Sequence, residues 1–188
     1  MTPLSRWCAV AVFVLLLSPP ARHVLESRMS LHMLVQVPLL VACGVVLGAG
    51  ISTAWRERLD RWNAHGIAGL LAFALVTAVL MIPRLLDLAV AHAWVDAGKG
   101  LLLLACGVAL RLSWTRGGAL VQAFFLGNVL PMTAAVGQAY QDSPLRLCNA
   151  YLLEDQVLVG TLLVAGAASF ALAWMARVAV MLVRREGG

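Results

Sequence analysis

The chain has 188 residues, of which 62% are hydrophobic and only 12% charged, with a formal net charge of +5. A soluble domain carries about 45–50% apolar and about 25% charged residues, so one core could not hide this much apolar surface. The composition excludes a disordered chain, a nucleic-acid-binding domain, a disulfide-stapled secreted module and an ordinary cytosolic enzyme. It specifies an all-α, polytopic membrane helix bundle.

A spanning helix needs about 20 mostly apolar residues. Six such segments are predicted in one integral membrane domain covering 1–188. The first, about 7–18, is short and stops at Pro19-Pro20. Arg6 followed by an apolar run resembles the start of a signal peptide, but no small-residue cleavage site follows, so an uncleaved anchor is expected, with five spans if it is cleaved. The second covers about 29–51. The third covers about 66–90 and is expected to kink at Pro83. The fourth, about 98–112, is short; the fifth, about 118–137, contains Pro131; the sixth covers about 156–183.

Lys and Arg in alternate loops set the orientation. With the N-terminus inside, Arg6, Arg56, Arg58, Arg61, Arg111, Arg116, Arg177, Arg184 and Arg185 lie inside, against Arg22, Arg28, Arg84, Lys99 and Arg146 outside. Most acids (Glu26, Asp87, Asp96, Asp142, Glu154, Asp155) fall outside. Both termini are therefore expected in the cytoplasm. Trp7, Trp55, Trp62, Trp114 and Trp174 are placed at the inner interface, and Trp94, Tyr140 and Tyr151 at the outer one. The stretch from Trp55 to Trp62 reads as a basic, aromatic anchor on the lipid bilayer.

On that topology the polar and sulfur-bearing residues gather on the outer side. Met29, His32, Met33 and Gln36 are three, four and seven positions apart, which puts them on one helical face. Arg84 and Asp87, three apart, are expected to pair. Asp155 is expected to cap the last helix, with Gln156 just inside the membrane and Cys148 and Asn149 in the loop before it. Cys148 would face an oxidising compartment with no obvious disulfide partner, whereas Cys8, Cys43 and Cys106 read as small apolar packing residues. Thioether, thiolate and imidazole donors select monovalent copper. Copper, held transiently, is therefore the metal this side would take, with His32, Met33, Cys148 and Met29 as candidate ligands and Asp87, Arg84, Asp155, Gln156 and Asn149 as supporting polar groups. Gly44 with Gly48, and the small residues from Gly160 to Ser169, read as helix-packing signals.

Three stretches resemble the CtaG-type cytochrome c oxidase assembly factors: His32-Met33-Leu34-Val35-Gln36-Val37-Pro38-Leu39-Leu40, Met81-Ile82-Pro83-Arg84-Leu85-Leu86-Asp87, and Leu153-Glu154-Asp155-Gln156 followed by Gly160. The chain departs from that pattern at Ile82, where no histidine precedes Pro83, and at Val157, which replaces a second Gln. The resemblance implies a non-enzymatic membrane protein that assists copper insertion into a haem-copper oxidase from the periplasmic side of a bacterial inner membrane. Its partner would be an oxidase subunit or a periplasmic copper chaperone, and it carries over His32, Asp87, Asp155 and Gln156. Two other readings stay open at the level of sequence: a small membrane carrier of a metal or solute, with Pro38, Pro83 and Pro131 breaking helices, and an accessory subunit of a larger membrane complex.

Overall fold

The computed structural model describes residues 3–186, which form nine helices and no strand. They are α1 (Pro3–Leu16), α2 (Pro19–Leu25), α3 (Met29–Ala49), α4 (Thr53–Asp60), α5 (Ile67–Leu80), α6 (Pro83–Ala91), α7 (Ala93–Trp114), α8 (Gly118–Asp142) and α9 (Leu153–Glu186). Four of these, α3, α7, α8 and α9, are long and apolar enough to cross a membrane. The bent pairs α1–α2 and α5–α6 raise the number to six if each is one span. Leu120, Phe124, Leu172 and many other large apolar side chains lie on the outside of the bundle, where only lipid is a suitable solvent. The protein is a multi-pass membrane protein.

Proline chemistry shapes the helices. A proline ring crowds the residue before it out of the α region. Ser18 and Ile82 accordingly adopt extended backbone (ψ 146° and 126°) ahead of Pro19 and Pro83. The chain turns there by 70° between α1 and α2 and by 71° between α5 and α6. In α3 the answer is different. Pro38 cannot donate to the carbonyl of Leu34, and the turn before it widens into a π-helical turn over His32–Gln36, in which the Val37 N–H reaches back to the His32 carbonyl. Pro131 lies inside α8, which runs through it unbroken from Gly118 to Asp142.

Lipid tails are as apolar as leucine, so close backbone packing holds the helices together. α3 crosses α7 at Gly44 and Gly107: a methyl on Gly44 would overlap the Leu104 carbonyl, and one on Gly107 the Val41 carbonyl. The α8–α9 hairpin closes at Gly137 and Gly160, each of which would meet the other's carbonyl oxygen if it carried a Cβ. The hairpin joins the rest of the bundle through the first turn of α3 and through α5.

α7 begins at Ala93, five residues before the expected start, and takes Asp96 and Lys99 into the helix as buried residues. Asp96, read as a loop residue, and Lys99, expected at the outer mouth of the span, are thus both buried within the helix, tolerated because they are paired. Tyr140 and Tyr151, expected at the interface, are buried, at 2% and 4% exposure, whereas Trp7, Trp55, Trp62 and Trp94 are exposed.

Candidate functional site

The π-helical turn presents the expected stripe, and the bundle buries all of it: Met29, His32, Met33 and Gln36. The side chain of Gln36 crosses to α1, where its Nε2 donates to the Leu16 carbonyl (3.2 Å), an acceptor freed by the break before Pro19. His32 lies at the centre of a chain of polar groups. Its Nε2 is 2.7 Å from Lys99 Nζ and its Nδ1 is 2.7 Å from the Tyr151 hydroxyl. Lys99 pairs with Asp96 at 2.7 Å. The same carboxylate meets Arg22 Nε at 2.7 Å through its other oxygen, and Arg22 in turn pairs with Glu26 at 3.0 Å. Four segments (α2, α3, α7 and the 143–152 loop) therefore meet in one run, Glu26–Arg22–Asp96–Lys99–His32–Tyr151.

The run is balanced, with two cations and two anions. It also fixes the imidazole. An ammonium paired with a carboxylate has donors and no acceptor, so His32 Nε2 must be the bare nitrogen and the ring proton sits on Nδ1, donated to Tyr151. Burial, reinforced by the Glu26 carboxylate, raises the Tyr151 phenol above its ordinary pKa, so it stays protonated.

Beside the imidazole lies a cluster rich in sulfur. Met29, Met33 and Cys148 are buried together with Leu86, Tyr140, Tyr151 and Val159, and Met81 packs against them. The Tyr140 hydroxyl in this cluster has no hydrogen-bond partner among the described residues. Cys148 is a free thiol whose pKa is pushed up to about 11, first by burial and then by the Asp87 carboxylate. A buried group with its folded pKa raised from 9.0 stays protonated at neutral pH. Its contribution to stability is constant below about pH 9 and is lost as pH rises toward 11, because the unfolded thiol ionises first. Cys148 should therefore resist maleimide in the folded protein at pH 7.5 and react promptly once the protein is denatured in SDS; fast labelling in the native state would contradict its placement.

The supporting residues hold the 143–152 loop over this cluster. Asp87 accepts from the Asn149 and Ala150 backbone amides (3.1 and 3.2 Å) and from the Asn149 side chain. The expected partner Arg84 is exposed and forms no pair with it, because loop amides without other acceptors bind the carboxylate instead. Asp155 departs from expectation too. Its Oδ2 accepts from the Ser30 N–H (3.1 Å), so it caps the start of α3 rather than its own helix. Gln156 is buried, its Oε1 accepting from the Leu147 amide (2.8 Å) and its Nε2 donating to the Tyr140 carbonyl (3.2 Å).

The candidate ligands Met29, Met33, Cys148 and His32 all converge, whereas another methionine, Met132, lies on the exposed face of α8 away from them. Among the described residues no three His, Cys, Asp or Glu side chains are placed to hold a metal ion together, so thioethers would have to supply much of any donor set. The residues that sequence reasoning missed are Arg22, Asp96 and Lys99. One signal was present: Asp96 and Lys99 are three apart and lead directly into the apolar run from Leu101.

In comparisons with family models, with curated proteins and with solved structures, nothing matches this chain.

Proposed function

We propose that the protein is a non-enzymatic assembly factor of the bacterial inner membrane that passes monovalent copper, its cargo, to a haem-copper oxidase subunit at the periplasmic end of its bundle. One observation carries the reading: Met29, Met33 and Cys148 are buried in a single cluster against the His32–Tyr151 pair. Soft sulfur donors of this type select copper(I) over harder divalent ions. The resemblance to CtaG-type factors at His32-Met33, Pro83 to Asp87 and Asp155-Gln156 falls on the residues that build this same end of the molecule.

The chemistry follows from the contacts. The two thioethers need no deprotonation, so Met29 and Met33 would take the ion first. Cys148 would join only by releasing the thiol proton that burial holds in place. His32 would join only if Lys99 gave up Nε2, and the Asp96 carboxylate, already paired with the ammonium, would keep it compensated. Such a conditional donor set suits a carrier that must let its ion go.

The test is copper(I) competition against a chromophoric chelator with the full-length protein in detergent. Replacing Met33 or Met29 by Leu should weaken binding at least about tenfold, the loss of one coordinate bond being worth more than 1.4 kcal/mol. Met132→Leu, outside the cluster, should leave binding unchanged. Wild-type protein that never competes with the chelator, or equal losses in M33L and M132L, would end the copper reading.

The Arg22–Asp96–Lys99 run supports a second reading, a small ion-coupled carrier, since buried ionisable groups within spans commonly line ion paths. Copper accumulation in vesicles reconstituted with the protein, abolished by Lys99→Met, would establish that reading instead.

A further inference from the structure

At the end of the bundle opposite His32, α4, the last turn of α7 and the turn into α8 enclose a pocket of about 90 Å3 lined by Arg56, Arg111, Leu112, Thr115 and Arg116. Three guanidinium groups thus share one small space. Among the described residues one carboxylate pairs with them, that of Asp60 with Arg116. Arg56 and Asp60 are four apart on the face of α4 turned toward the bundle, while Trp55, Leu59 and Trp62 point away. Arg56 holds the Ala49 carbonyl through Nη2 (3.5 Å), yet its Nε–H is buried with no acceptor among the described residues. Arg111, next to it, forms no ion pair among the described residues. The Arg6 guanidinium lies nearby against Gly50 and adds to the positive charge of this end.

Like charges crowd together at a cost unless an anion joins them. A buried guanidinium N–H without an acceptor is costly for the same reason. Only a group with several acceptor oxygens and negative charge offsets both. Guanidinium forks match phosphate oxygens in pairs, and the Thr115 hydroxyl adds a neutral donor at the rim. The flanking helix is built to lie in a headgroup layer, with Trp55 61% and Trp62 86% exposed and Arg58 stacked 5.4 Å over the Trp55 ring. Basic pockets between membrane helices take anionic headgroups by the same chemistry.

We propose that this pocket is a phosphate-binding site, with Arg56 and Arg111 as its principal donors and Arg116 held in place by Asp60. The phosphate is that of an anionic phospholipid or a free phosphate ion. The site is separate from the sulfur cluster: Asp96 and Arg111 are fifteen residues apart on α7, which spaces them by about 22 Å.

The experiment titrates full-length protein in detergent with phosphatidylglycerol, phosphatidylcholine or inorganic phosphate at fixed ionic strength. It reads thermal stability, and counts bound lipids by native mass spectrometry. Phosphatidylglycerol should raise the melting temperature where phosphatidylcholine does not. Arg56→Gln or Arg111→Gln should weaken that effect about tenfold, the scale of one charge-assisted hydrogen bond. Arg61→Gln, exposed and outside the pocket, should retain it. A response to inorganic phosphate with the same variant dependence identifies free phosphate as a sufficient ligand. A response to the lipid alone assigns the site to a headgroup. Arg111 is exposed, so R111Q keeps the test valid if R56Q fails to fold. Equal losses in R61Q and R111Q would reduce the pocket to diffuse surface charge and overturn the proposal, as would indifference to both phosphatidylglycerol and phosphate.

Discussion

Replacing Asp96 by Asn is expected to destabilise the protein by about 3–5 kcal/mol, more than Lys99→Met, although both substitutions remove one charge from the same helix. The asymmetry follows from the partners. Asp96 is fully buried and serves two cations at 2.7 Å each, so neutralising it strands Lys99 with only the His32 nitrogen and leaves Arg22 dependent on Glu26. Breaking a buried pair from one side leaves an uncompensated charge, which carries the full desolvation penalty. Removing Lys99 instead leaves Asp96 with Arg22. The double variant D96N/K99M should lose less than the two singles added together, because each substitution removes the charge that the other strands. Unfolding of detergent-solubilised protein by SDS titration measures all four corners of this cycle. Additive losses would show that the two charges are solvated independently, contrary to their burial.

The second large effect is expected at the crossing of α3 and α7. A methyl group at Gly44 meets backbone on the opposite helix, the Leu104 carbonyl and the Cα of Gly107, and backbone cannot rotate aside as a flexible side chain can. Gly44→Ala should therefore force the helices apart and cost about 3 kcal/mol, at the upper end of ordinary overpacking. Gly107→Ala should match it, since the Val41 carbonyl stands in the reciprocal position. Gly98→Ala is the control: it is on the same helix as Gly107 with nothing near its missing Cβ, and should be tolerated. Melting temperature and resistance to limited proteolysis in detergent report the comparison. A harmless G44A would mean that the two helices are not in van der Waals contact at this point.

Much of this architecture was legible in the residues. The apolar runs marked all four helices that are long and apolar enough to cross a membrane, because lipid imposes such a length, while the other two expected spans are bent pairs. The Met29–His32–Met33–Gln36 stripe was readable because spacings of three, four and seven fix a helical face whatever that face later meets. Pro83 announced its kink and Pro19 the end of the first helix for a purely local steric reason, but not the short helix that resumes at Pro19. What escaped depends on partners distant in sequence. Asp96 looks like a loop residue and Lys99 like one at the mouth of a span until Arg22 and His32, 67 or more positions away, are seen to pair with them. Nothing in the local spacing around Asp155 shows that its carboxylate caps α3, 125 residues earlier, rather than its own helix. Asp87 likewise had a plausible local partner in Arg84, and the distant loop amides displaced it. Local periodicity placed the candidate site at one end of the bundle, and tertiary pairing decided what each of its residues does there.

The π-helical turn over His32–Gln36 lets α3 carry one extra residue between its two halves. Below it, Gly44 is locked against α7; Met29 above it and His32 and Met33 within it face the sulfur cluster and Lys99. The turn holds one residue more than an ordinary one, so deleting either Leu34 or Val35 would tighten it to regular helix. Five residues at π-helical pitch turn through nearly the same angle as four at α-helical pitch, so both halves would keep their facing and only the side chains within the turn would be re-aimed. Evolution can therefore add or remove a residue at this turn without changing the register of the joint that holds the bundle together, a kind of freedom that a straight helix would not allow.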